Sequence, residues 1–194
     1  MTIFGIEGGI GTGKTLTLAT MLLDDLRKGK KIISNIKFKH LTKEEQSRYT
    51  FIEAEFIDNI FEKVKNNEID LRNTTIGIQE AHNYADSRNS ASKRNKIFSY
   101  WILQSRHTGE GSCDIVYDTQ ELGQVDKRLR RNTDFVVHPI IVQWNQKGKV
   151  KIPSVIRCEV YGKIGHEYQE TGFALDVTET CKMYDTHQIV EFKV

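Results

Sequence analysis

Gly8, Gly9, Ile10, Gly11, Thr12, Gly13, Lys14 and Thr15 follow the pattern GxxxxGK[ST]. Glycines at this density let a loop curl until successive backbone N–H groups point at one place, and a helix beginning there adds the positive end of its dipole. Such a loop receives phosphate. Within it Lys14 is the side chain to reach the β- and γ-phosphates of ATP, and Thr15 is the hydroxyl to ligate Mg²⁺; Leu16 closes the nucleotide-binding stretch. A chemistry of this kind also needs an acid at the end of a neighbouring strand. Residues 76–80 (IGIQE) supply Glu80, placed to polarise an attacking water. Gln79 stands where ATPases of this layout carry a second acid, so an amide is left to orient Mg²⁺ through water without contributing charge. The plain alternative for Glu80 is a solvated acid in the first turn of a helix.

The elements that must hold these residues are legible from hydrophobic spacing. Residues 2–7 read as a strand and 14–28 as a helix, with Leu16, Leu18, Ala19, Leu22, Leu23 and Leu26 at helical intervals and Gly29 as its stop. That strand–loop–helix context is what separates a phosphate-binding loop from a chance match. Residues 31–36 (KIISNI) predict a second strand, leaving room for one strand between the loop and the 74–79 strand (TTIGIQ). Helices are predicted over 54–65, 93–106 and 124–131, and a strand over 114–119 (DIVYDT). The alternation of strand and helix across residues 1–145 predicts an α/β core, a mostly parallel sheet flanked by helices. Residues 146–194 change character, with short strands predicted at 155–161, 172–177 and 188–193, and read as a β-rich extension packed on that core within a single domain.

Composition narrows the class. The chain has 194 residues, 28 Lys+Arg against 26 Asp+Glu, and 38% hydrophobic residues, which fits a folded domain and excludes a histone-like polycation. The longest mostly apolar stretch, 135–144, contains His138 and Pro139 and falls short of the roughly 20 residues of a membrane span. No signal peptide opens the chain, so it reads as cytosolic. Cys113, Cys158 and Cys181 form neither a CxxC pair nor an even set, and read as ordinary thiols. Trp101 and Trp144 read as core or interface rather than as base-stacking platforms.

The loop, the segment IGIQEAH, and Gln104-Ser105-Arg106-His107-Thr108-Gly109 followed by the strand DIVYDTQ resemble the FtsK/HerA superfamily of DNA-pumping ATPases. Within it the sequence is similar above all to the genome-packaging NTPases of membrane-containing icosahedral viruses, the Sulfolobus turreted type. Zot-like assembly ATPases of filamentous phages share much of the pattern, including DSR at 86–88 and VDKRLR at 125–130. The resemblance spans roughly residues 2–140 and implies a P-loop NTPase fold of the ASCE/RecA-like type. It implies that Gln120 senses the γ-phosphate and that Arg106 is offered to a neighbouring subunit's nucleotide, with Arg88, Arg128 and Arg131 as rival fingers. It further implies ATP and Mg²⁺ as cofactors, a homo-oligomeric ring of about six subunits, and double-stranded DNA as cargo. A viral capsid or packaging vertex would be the partner, and the cytoplasm of the infected cell or the virion vertex the location.

Lys93, Arg94 and Lys96, with Arg128 and Arg131, are the candidate contacts to DNA phosphates, the rival reading being a solvated basic face. Zot-type proteins usually carry a membrane segment after the ATPase part; the expectation that this chain has none favours packaging over filamentous assembly. Two other readings remain open. Gln79 leaves room for a nucleotide-regulated binding module that does not hydrolyse, and the loop alone is compatible with a small-molecule kinase, although no lid with paired arginines is visible.

Overall fold

The computed structural model describes residues 2–53, 63, 68, 70–93, 95–96, 113–147, 150–164 and 167–184. Among the described residues eight strands form one sheet in the order β3-β2-β4-β5-β1-β6-β7-β8. They are β1 (Ile3–Glu7), β2 (Lys31–Ser34), β3 (Tyr49–Phe51), β4 (Thr74–Ile78), β5 (Cys113–Thr119), β6 (Phe135–Lys147), β7 (Val150–Ile164) and β8 (Glu167–Asp176). From β3 to β6 every neighbouring pair is parallel, while β7 and β8 run antiparallel. The α-helices whose full extent lies within the described residues are α1 (Lys14–Arg27), α2 (Lys43–Ser47), α3 (Lys127–Arg131) and α4 (Thr180–Met183). The fold is the α/β sheet of the P-loop NTPases.

The strand between β1 and β4 is β5, not the KIISNI segment; β2 pairs instead with the far side of β4. Sequence order cannot decide this, because a parallel strand needs a crossover and the crossover can carry it to either side. The consequence is that β5, rather than β4, lies against the strand that feeds the phosphate loop.

Two apolar clusters cover the two faces. On one, Leu16, Leu18, Leu22, Leu23 and Leu26 of α1 pack on Ile6, Val116, Val137 and Ile156; on the other, Ile3, Ile76, Ile78, Ile115 and Tyr117 meet Tyr84, Val125 and Leu129. All five residues of β4 are buried, as expected of a strand covered on both faces. Gly77 is there for a packing reason: a Cβ at that position would stand 2.3 Å from Leu22 Cδ1, so only glycine lets α1 lie this close to the sheet.

Several boundaries differ from the sequence pattern. β2 stops at Ser34 because Asn35 turns its side chain to the backbone of Gln79, donating to the carbonyl at 3.0 Å and accepting from the N–H at 2.7 Å. The helix predicted over 124–131 begins only at Lys127, since Asp126 caps it by accepting from the Arg128 N–H at 2.8 Å. The C-terminal strands are far longer than predicted, and they extend the main sheet through β6 instead of forming a separate layer upon it. The strand predicted at 188–193, the helix over 54–65 except residue 63, and the helix over 93–106 except residues 93, 95 and 96 lie outside the described residues.

The close approach of α1 to β4 is directly testable. Gly77→Ala is expected to cost about 1–3 kcal/mol through overpacking against Leu22, read as a lower denaturant midpoint. A wild-type midpoint would contradict that packing.

Candidate active site

The phosphate loop leaves β1 at Glu7 and enters α1 at Lys14. Gly13 caps the helix with a left-handed backbone (φ 96°), no side chain closes the cap, and the first turn holds no acid. The leading N–H groups of a 14-residue helix are therefore directed into the loop, where the dipole favours an anion. Gly9 gathers the loop through its carbonyl, which accepts from the Thr12 hydroxyl and from Lys14 Nζ, both at 3.0 Å. Lys14, expected to be partly exposed, is instead buried. Its ammonium lies back along the loop, on a neutral carbonyl that phosphate oxygens would outbid as acceptors of a charged donor. Ile10, by contrast, is 89% exposed at the loop's tip.

Glu80 follows β4 in a left-handed conformation (φ 53°), uncommon for a residue with a side chain, and heads a short 3₁₀ turn, Ala81–Asn83. Its N–H donates to Asp118 Oδ1 at 2.6 Å. Its carboxylate stands 3.4 Å from His82 Nε2, and the other ring nitrogen, Nδ1, lies 3.3 Å from the Thr119 hydroxyl. Glu80 is thus held at the backbone by one residue of β5 and at the carboxylate by a histidine leaning on the next. Two other acids, Glu7 and Asp86, are otherwise engaged. Glu7 accepts from the Leu122 N–H at 2.7 Å and lies 3.5 Å from His138 Nε2, and Asp86 caps the Ser87–Asn89 turn and pairs with Arg88.

Gln79 is buried with its Nε2 at 3.5 Å from the Tyr184 hydroxyl, while Oε1 has no hydrogen-bond partner among the described residues. Gln120 is half-buried in the bend directly after β5, one step beyond the Glu7–Thr119 pair and so level with Gly8. Asp118 and His82 were not singled out in the sequence. The available signal for Asp118 was an acid inside an otherwise apolar strand, DIVYDT, at a position alternating with Tyr117 toward the face where α1 packs.

The sequence profile of the family described as Zot, zonular occludens toxin, matches residues 1–178. The chain belongs to the Zot family. Among solved structures, the N-terminal domain of zonular occludens toxin from Neisseria meningitidis is similar at 19% identity with a TM-score of 0.62, covering 95% of this chain and 98% of that one. The genome packaging NTPase B204 of Sulfolobus turreted icosahedral virus 2, in complex with ATP-gammaS, is similar at 10% identity with a TM-score of 0.57, covering 87% and 96%. B204 of Sulfolobus Turreted Icosahedral Virus, described as a DNA-packaging ATPase, gives 11% and 0.54 with the same coverage. At these identities the structures speak for the fold. No curated protein matches in sequence.

In this Zot-family chain the two basic segments are joined. Asp86 bridges to Val125, the Asp126 N–H donates to the Ala85 carbonyl at 2.6 Å, and Asn95 Nδ2 donates to the Asp86 carbonyl at 2.5 Å. Exposed Lys93 and Lys96 are thereby carried by the same assembly as α3, where Arg131 is exposed and Arg128, half-buried, leans 3.9 Å from Asp126. Of the rival fingers, Arg88 is paired with Asp86 through its own turn. Arg94, Trp101 and Arg106 lie outside the described residues. Trp144, read as core or interface, is half exposed on β6, and Cys113 and Cys158 are buried. Among the described residues no helix is long and apolar enough to cross a membrane.

Burial pushes the Asp118 carboxyl up to about 6 from an ordinary 3.8; the Glu80 N–H, the Thr15 side chain and the Lys14 charge pull it down, and the Glu80 carboxylate pushes it up. A raised acid holds its proton in the folded chain at pH values where the unfolded chain has lost it. Its contribution to stability is therefore complete below pH 3.8 and is lost as the pH rises through 6. Thermal unfolding of the nucleotide-free protein should show Asp118→Asn flattening this slope, by roughly 3 kcal/mol across the window; an unchanged profile would contradict the burial of the charge.

Proposed function

We propose that this chain is an ATP-hydrolysing motor of virion morphogenesis, acting on the viral genome. One observation carries the reading: a phosphate cradle, a buried lysine and a glutamate fixed at both its backbone and its carboxylate converge at the ends of β1, β5 and β4. The ATP-gammaS complex of the similar packaging NTPase B204 supports ATP as the ligand.

In this mechanism the loop N–H groups from Gly9 to Thr15 hold the phosphates, and Lys14 exchanges the Gly9 carbonyl for phosphate oxygens. Glu80 takes the proton of the attacking water, with His82 orienting its carboxylate. Gln120, level with the start of the loop, orients that water. Arg106 of an adjacent subunit neutralises charge building on the transferred phosphoryl group, an effect worth about 10³–10⁵ in rate for such arginines. The site fits a hydrated divalent cation. Thr15 offers a hydroxyl at the head of α1, and both Gln79 Oε1 and Asp118 Oδ2 are buried acceptors without a hydrogen-bond partner among the described residues. Mg²⁺, when bound with the nucleotide, would be held by Thr15, and through water by Gln79, and would withdraw charge from the phosphates.

Two cargoes suit the motor. Double-stranded DNA driven into a capsid, at a vertex served from the host cytoplasm, is supported by the joined basic segments, which can follow phosphates without reading bases. Extrusion of a filamentous virion is favoured by the Zot match across residues 1–178. Both need a ring, about six subunits, because the outer face of the γ-phosphate takes its cation from a neighbour.

Lys14→Ala should lose ATP binding, and Glu80→Gln should keep binding while phosphate release falls about 10²–10⁴-fold. Wild-type turnover in either would overturn the assignment. Mixing Arg106→Ala with Glu80→Gln subunits should restore part of the activity, since some mixed interfaces hold both intact residues. No recovery, with full wild-type activity at monomeric dilution, would overturn the shared site. Unidirectional movement on naked double-stranded DNA supports the packaging cargo, and ATP turnover stimulated only by single-stranded DNA bearing coat protein supports the filamentous one.

A further inference from the structure

We propose that Asp118 on β5 supplies the carboxylate charge for the nucleotide's Mg²⁺ that Gln79 on β4 lacks. The inference rests on the ATPase reading of the same site and assigns it a residue that the pattern of the strand β4 does not contain.

The strand order makes the substitution possible. β5 is the direct neighbour of β1, with Asp118 paired to Ile6 in parallel register, whereas β4 is one strand further away. At roughly 4.8 Å per strand, position 79 lies about 10 Å sideways from the loop's own strand and position 118 only half of that. The two residues are also neighbours of each other, each one step beyond the Ile78–Tyr117 pair. On both strands the alternation turns them to the α1 face. Gly77 on β4 meets Leu22 there, and Val116 on β5 packs with the α1 cluster. An amide on the far strand and an acid on the near one thus stand side by side. The acid has moved one strand toward the phosphates.

The hydrogen bonding of Asp118 points the same way. The residue is completely buried, and one oxygen, Oδ1, accepts the Glu80 N–H. Among the described residues the other, Oδ2, has no partner at hydrogen-bond geometry. A buried carboxylate with a free oxygen is costly and persists where a charge or a polar ligand meets it. The head of α1 and its phosphate loop are adjacent, since the Thr15 side chain and the Lys14 charge both favour the ionised carboxyl. Lys14 Nζ donates to the Gly9 carbonyl and does not pair with Asp118, which leaves Oδ2 with capacity to accept from a magnesium-bound water. The same side chain would then report cation binding to the catalytic loop, because Oδ1 holds the backbone of Glu80 in its left-handed turn.

Affinity for a fluorescent ATP analogue, measured on the full chain with excess EDTA and with Mg²⁺, tests this. Wild type should bind more tightly with Mg²⁺. Asp118→Asn, which keeps an acceptor for the Glu80 N–H, should lose that gain by about 10–100-fold. Its metal-free affinity should rise, because a negative charge beside the phosphates is gone. Adding Gln79→Asp to Asp118→Asn should restore part of the Mg²⁺ gain. A wild-type ratio in a folded Asp118→Asn overturns the proposal and leaves ATP binding standing, whereas a wild type that binds no nucleotide in either condition overturns the ATPase reading and this one with it. If Asp118→Asn does not fold by circular dichroism, pulsed EPR on wild type carrying ¹³C-carboxyl aspartate and Mn²⁺ with ADP decides instead. A carboxyl ¹³C coupling at one-water distance supports the role, and its absence overturns it.

Discussion

The hydrogen bond from the Glu80 N–H to Asp118 Oδ1 ties the site together. It joins the end of β4, where the candidate catalytic acid sits, to the end of β5, which lies against the phosphate-loop strand. Everything around it serves to make that bond possible. The parallel order β1-β5-β4 brings the strand ends to one edge, Gly77 lets α1 settle low enough to place Thr15 beside Asp118, and Asn35, directly after β2, pins the backbone of Gln79 immediately before Glu80. A left-handed Glu80 is strained for a residue with a side chain, and such strain is retained where surrounding bonds over-determine the backbone. Here the determining bonds come from β5 below and from His82, itself leaning on Thr119, beside.

The expense of this arrangement is a buried acid. Asp118 takes up a proton more readily than an exposed aspartate, and one of its oxygens is unanswered within the described chain. Stability is given up where a charged ligand can return it. The same logic applies to Lys14, buried on a neutral carbonyl, and to α1, whose first turn carries no acid. Positive and negative groups thus stand around one loop, and in the proposed reading a magnesium nucleotide would pair with them.

What was legible in the sequence follows from how local each signal is. The loop, its lysine and its threonine were readable because strand, glycines and helix follow one another without interruption. Glu80 was readable because it ends a buried strand of recognisable composition. Asp118 was not, since its meaning depends on β5 inserting between β1 and β4, and only tertiary structure decides where a crossover places its strand. The C-terminal strands were read too short for a related reason. β6 and β7 carry exposed residues such as Val142, Trp144, Val150 and Tyr161, which blur the alternation used to find strand ends, while their long antiparallel register keeps them paired. The union of the two basic segments through Asp86 and Val125 was likewise invisible to a linear reading, although each segment was noted by its charge.

The chain belongs to the Zot family and has a P-loop fold, and its particular feature is where it keeps its negative charge. The most direct measurement of that feature is a crystal structure with a non-hydrolysable ATP analogue and Mn²⁺ in place of Mg²⁺, the cation located by its anomalous scattering. Mn²⁺ is expected in contact with the Thr15 hydroxyl and linked through one water to Asp118 Oδ2, with Glu80 still anchored on Oδ1. A cation linked to Gln79 alone, with Asp118 turned away from it, would contradict the account.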